Sequence, residues 1–114
     1  MPVLQVGIGI SQKNLIQGVK EAAEQAKAKV KNPELLVFFC TYNYPPQDYQ
    51  AAQKEIQKIF SKKIPLVGGV VGGIYAQGKV FHAFATKGKE RGLAILALSS
   101  EYLSIGVGKA DNAN

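Results

Sequence analysis

Residues 3–10, VLQVGIGI, alternate between apolar and small or polar positions. Leu4, Val6, Ile8 and Ile10 share one face, with Gln5, Gly7 and Gly9 on the other, the period-two pattern of a strand. The period then lengthens to that of a helix. Asn14 can cap it, with Gln17 three residues on, and Leu15, Val19, Ala22, Ala23, Ala26 and Val30 form one apolar stripe that ends near Asn32-Pro33. LLVFFC (35–40) is a continuous apolar run of β-formers, the pattern of a strand buried on both faces. After the loop TYNYPPQ, Asp48 can cap a second helix whose apolar face holds Tyr49, Ala52, Ile56, Ile59 and Phe60. Lys62 and Lys63 then complement its dipole, and Ile64-Pro65 stops it.

Leu66 and Val67 enter a third strand before the glycines of PLVGGVVGGI (65–74), which read as a glycine-rich turn. Beyond them KVFHAFAT (79–86), LAILALSS (93–100) and YLSIGVGK (102–109) read as strands, with Gln77-Gly78 as a hairpin turn. The order is βαβα followed by four strands. It predicts an α/β fold with a mixed sheet of five to six strands and two helices, in one domain over residues 1–114.

Composition narrows the function classes. The chain is 46% hydrophobic and 19% charged, which suits a globular domain. No apolar run approaches the ~20 residues that span a bilayer. The start, MPVLQVGIGI, lacks the basic region of a signal peptide, so the expected compartment is the cytoplasm. One cysteine and one histidine leave no internal disulfide and too few soft ligands for zinc, and no cofactor is implied. The net charge of +6 raises the question of nucleic acid, but the lysines are spread over the two predicted helices, as on a solvated face.

Three motifs imitate known sites. Gly73 to Val80 matches a phosphate-binding loop except that Val80 stands where Ser or Thr would hold magnesium, and Lys79 opens a strand rather than a helix. Gly7-Ile-Gly9-Ile-Ser-Gln12 sits between a strand and a helix like a dinucleotide fingerprint, yet Gln12 replaces the third glycine and no carboxylate follows the second strand. Gly69-Val-Val-Gly72 copies the GXXG of an RNA-binding loop without its basic residues or flanking helices. A Cys-dependent enzyme would have to use Cys40, with His82 as the sole imidazole, and a basic nucleic-acid-binding domain is the other alternative.

GIGIS (7–11), the Ala-rich helix, ELLVFFC (34–40), the Tyr-Asn-Tyr-Pro loop and above all PLVGGVVGGI followed by a hairpin and LAILALSS resemble the N-terminal FIST domain. That domain is named for F-box and intracellular signal transduction proteins. The resemblance runs in order along nearly the whole chain. It implies a non-enzymatic sensory module for a small ligand such as an amino acid. Val70-Val71 depart from the small polar residues common there, and the chain stops soon after Gly108, so it reads as a partial form of that domain.

Ligands of α/β sheets lie beyond the carboxyl ends of strands. That rule nominates Cys40, Thr41 and Asn43, together with Gly68, Gly69, Gly72 and Gly73, whose lack of a side chain would permit positive φ or close backbone approach. Two helices cannot cover both faces of a sheet containing LLVFFC and LAILAL. A homo-oligomer is therefore expected, unless the terminal strands close the core themselves.

Overall fold

The computed structural model describes residues 4–60, 63–83, 86 and 90–100. In chain order these form β1 (Leu4–Ser11), α1 (Leu15–Lys29), β2 (Leu35–Thr41), a 3-10 turn (Pro46–Asp48) and α2 (Tyr49–Phe60). They continue with β3 (Leu66–Val71), β4 (Gly73–Ala76), β5 (Lys79–His82) and β6 (Leu93–Ser100). The α/β class with a mixed sheet is as expected. Four strands make the main sheet in the order β1-β6-β2-β3, and β4 and β5 form a separate hairpin. β6 runs antiparallel to both its neighbours, whereas β2 and β3 are parallel. The connection through α1 therefore passes over β6 to reach β2.

Local chemistry sets the helices. Asn14 Oδ1 accepts the Gln17 backbone N–H at 2.9 Å, which fixes the start of α1. Its predicted apolar stripe, Leu15 to Val30, is buried throughout. The helix lies so close to β1 that a Cβ on Gly9 would stand 1.7 Å from Ala22 O, and one on Gly7 2.3 Å from Ala26 O. Alternate glycines in β1 thus set the distance between helix and sheet. Ala52, Ile56 and Phe60 of α2 join α1 and Leu36, Phe38, Leu93 and Ile95 in one core, so both helices cover the same sheet face. Gln57 secures the exit from α2, its Oε1 accepting Ile64 N–H at 3.0 Å and its Nε2 donating to Ile64 O at 2.6 Å.

Leu4, Val6, Ile8 and Ile10 share a face, but it is the face away from the helices. Among the described residues, the hairpin alone packs there. β4 leaves β3 at Gly72, and at the tip Gln77 Nε2 donates to Ile8 O on the opposite edge strand at 3.1 Å. Ile74 and Phe81 pack on Ile10 to form a second, smaller core. LLVFFC is accordingly not covered on both sides, and Phe39 is 40% exposed.

The glycine segment also differs from the expected turn. β3 runs through Gly68 and Gly69 to Val71, because paired extended backbone needs no side chain, and β4 starts at Gly73. The turn lies where Gln77-Gly78 predicts it, with φ of 51° and 75° and Ala76 paired to Lys79. The strand predicted over 79–86 ends at His82, and Ala83 is in a turn. The strand predicted over 102–109, and Lys62, lie outside the described residues. Among those residues no helix is long and apolar enough to cross a membrane.

Candidate functional site

Register decides where the nominated residues fall. Cys40 pairs with Leu93 and Val70 on the helix-covered face, and Gly68 lies on that face opposite Phe38. Thr41 and Gly69 belong to the other face, so the sheet itself separates the set. Cys40 is buried against Tyr49, and desolvation raises its thiol pKa above the ordinary value despite that hydrogen bond. β5, which carries His82, packs on the far side of the sheet from the Cys40 side chain, against the expectation for a Cys-His dyad.

The structure does bring Thr41 and Asn43 together, in a bracket that ties one loop to another. Thr41 Oγ1 donates to Asn43 Oδ1 at 2.5 Å and accepts Gly92 N–H at 3.1 Å. Asn43 Nδ2 donates to Glu90 O at 2.9 Å. Next to it, Tyr44 OH donates to Lys13 O at 2.9 Å beneath the Arg91 guanidinium, which sits 5.1 Å from the ring centre. Burial, opposed by Arg91, pushes the Tyr44 phenol up to about 12. Of the nominated glycines, Gly68 is required by close approach, since a Cβ there would meet Phe38 O at 1.6 Å. At Gly69 a Cβ would make only ordinary van der Waals contact, with Phe39 at 3.9 Å. Gly72 and Gly73 carry the chain from β3 into the hairpin, Gly72 O accepting Ala83 N–H at 2.9 Å and Gly73 pairing with His82. Positive φ is found at Gln77 and Gly78, not at these four positions.

A cleft of about 530 Å³ opens at another carboxyl end, that of β1. Ile10 and Phe81 give it an apolar floor, as in most small-molecule sites. Glu21 and Gln25, four residues apart on α1, project from one side. Gln12 and Lys13 close the end, and Gln77 and Lys79 face them from the hairpin.

The polar groups are held in place by hydrogen bonds. Lys13 Nζ lies 2.5 Å from Glu21 Oε2, and Ser11 Oγ accepts Lys13 N–H at 3.1 Å. Hydrogen bonds from Lys13 and then Ser11 hold the Glu21 carboxyl below its ordinary value. Gln25 Oε1 accepts Ile10 N–H at 2.9 Å, and Gln12 Nε2 donates to Arg91 O at 3.2 Å. Each of the three glutamines commits one end of its amide to backbone. Lys13 and Glu21 neutralise each other, and among the described residues no carboxylate forms an ion pair with Lys79. The cleft therefore carries one excess positive charge amid amide groups over an apolar floor.

Sequence reasoning reached this corner without assembling it. Gln12, the residue that breaks the dinucleotide fingerprint, forms part of the wall. Gln77 was visible only as a turn residue, since nothing local reports that the hairpin folds back over β1. No group of three or more potential metal ligands occurs among the described residues. Compared with known proteins, the chain matches no family model and no curated protein.

Proposed function

We propose that this chain is a non-enzymatic sensory module that binds a small carboxylate-bearing molecule in the cleft between β1, α1 and the hairpin. The observation that carries the reading is Lys79, which pairs with no carboxylate among the described residues, in a cleft of about 530 Å³ whose other charged groups, Lys13 and Glu21, pair with each other. A carboxylate opposite Lys79 would gain a charge-assisted hydrogen bond, and the amides of Gln12, Gln25 and Gln77 would orient the remainder. An amino acid fits this description and is the ligand class that the FIST resemblance implies, with signal transduction in the cytoplasm as the setting. The buried, Tyr49-bonded thiol of Cys40 does not favour covalent catalysis, and no observation favours nucleic acid.

A thermal-shift panel of the twenty amino acids and small mono- and dicarboxylates tests the reading. Stabilisation follows from binding the folded state alone and grows with ligand concentration. Lys79→Ala is expected to weaken the best binder roughly tenfold, as loss of one charge-assisted contact should. Lys54→Ala, on exposed α2 surface, should leave the affinity unchanged. No shift with any member of the panel, or equal binding by the Lys79→Ala chain, rejects it.

A further inference from the structure

The two members of the ion pair in the cleft are held differently. Glu21 is fixed: it stands on the second turn of α1, and its carboxyl is hydrogen-bonded by Ser11, whose side chain is buried. Lys13 is anchored only through its main chain, its N–H donating to Ser11 Oγ and its carbonyl accepting Tyr44 OH. Its side chain reaches Glu21 through solvent, 59% exposed against 34% for its partner. An ion pair this exposed contributes little, because both charges are well hydrated when apart and the long lysine must be held in one geometry.

We infer that Lys13 is a placeholder for an ammonium group of the ligand, so that the cleft takes a dipolar molecule with its carboxylate on Lys79 and its ammonium on Glu21. The inference rests on the carboxylate-binding reading of the cleft and adds the second pole. Glu21 projects from α1 and Lys79 from the hairpin facing it, and the two form no ion pair with each other. Opposite charges thus stand apart across a space a ligand can enter. With Lys13 turned out to solvent, the cleft presents one positive and one negative group, and a molecule of no net charge pairs both. With Lys13 in place, Glu21 is already neutralised and only an anion is matched.

The exchange favours the ligand for three reasons. One ammonium replaces another at Glu21, so no carboxylate is left unpaired in the bound state. A molecule already held by its carboxylate on Lys79 makes the second contact within one complex, at a high effective concentration. Ser11 keeps the Glu21 carboxyl in position, which removes part of the ordering cost of binding. Lys79 and Phe81, two residues apart on β5, share the inner face of the hairpin, so the apolar remainder of the ligand lies on Phe81 and Ile10 beside its charged end.

Titration calorimetry of the full chain with matched pairs tests this: leucine against 4-methylpentanoate, phenylalanine against 3-phenylpropionate, and glutamate against glutarate, each pair differing only in the amine. In at least one pair the amino acid is expected to bind about tenfold or more tightly than its amine-free partner, as one further charge-assisted hydrogen bond warrants. Glu21→Gln should abolish that difference while the amine-free acid binds at least as well as before, which also shows that the cleft is intact. Lys13→Ala should raise the affinity for the amino acid a few-fold, because its competitor is gone. Equal affinities within every pair overturn the inference and leave the carboxylate reading standing. Binding by no compound overturns both. A preference that survives Glu21→Gln overturns the role of Glu21. If that variant fails to fold by circular dichroism, Lys13→Ala decides alone, and loss of amino-acid affinity there overturns the inference.

Discussion

Gly9 and Gly69 are the same residue type in strands of the same sheet, with opposite consequences. A methyl group at Gly9 would collide with the Ala22 carbonyl in the tightest part of the helix contact, and at Gly69 it would meet only Phe39 at van der Waals distance. Gly9→Ala is expected to cost about 3 kcal/mol or more, the upper range for overpacking, and Gly69→Ala less than ~0.5 kcal/mol. Urea unfolding of both distinguishes them. The glycines of 65–74 drew attention by their number, yet sequence cannot say which of them faces a backbone. Cys40 is expected to react with a mild electrophile far more slowly in the folded chain than in urea, since the thiolate is disfavoured by burial. Fast labelling under native conditions would revive the Cys-dependent enzyme. Tyr44 and Glu21 bound the stability in pH. The folded state holds the Tyr44 proton up to about 12, against an ordinary 10.0, so its stabilising contribution is intact below pH 10 and lost as the pH rises through that window. Glu21 is held below 4.5, and its contribution is intact above that value and lost as the pH falls beneath it. Tyr44→Phe should flatten the alkaline limb of a stability-pH curve and cost about 1 kcal/mol at neutral pH through the lost bond to Lys13 O.

At the scale of elements, periodicity located what periodicity can report. Both helices, the Asn14 cap, β1, β2 and the bounds of β6 at 93 and 100 were legible, because each has a sustained pattern or a terminal signal. The β4–β5 hairpin was legible only at its Gln77-Gly78 turn. β4 is four residues long, and a glycine-rich run carries no side-chain alternation to mark where β3 ends and β4 begins. The candidate cleft shared that fate, as it joins β1 to a hairpin through Gln77 and Ile8, 69 residues apart in the chain. Gln77→Ala, which removes the bond from the hairpin tip to Ile8 O, is expected to lower stability by about 1 kcal/mol and to raise hydrogen exchange in β4 and β5 selectively. Uniform acceleration throughout the sheet would show instead that the hairpin is not a separate unit.

For the whole molecule, both helices pack on one face of the sheet, and among the described residues the hairpin packs on the other. What the sequence could not show is strand order. β6, late in the chain, lies between β1 and β2, and this insertion places Leu96 and Leu98 between them on the face away from the helices. The central claim is that the ligand lies at the carboxyl end of β1 and not around Thr41 and Gly69. Backbone amide shifts of the isotopically labelled chain, titrated with the tightest carboxylate of the panel, test it most directly. Saturable shifts are predicted at Ser11 to Lys13, Gln25 and Gln77 to Lys79. Shifts centred on Thr41, Asn43, Gly68 and Gly69, or none at saturating concentration, would contradict it.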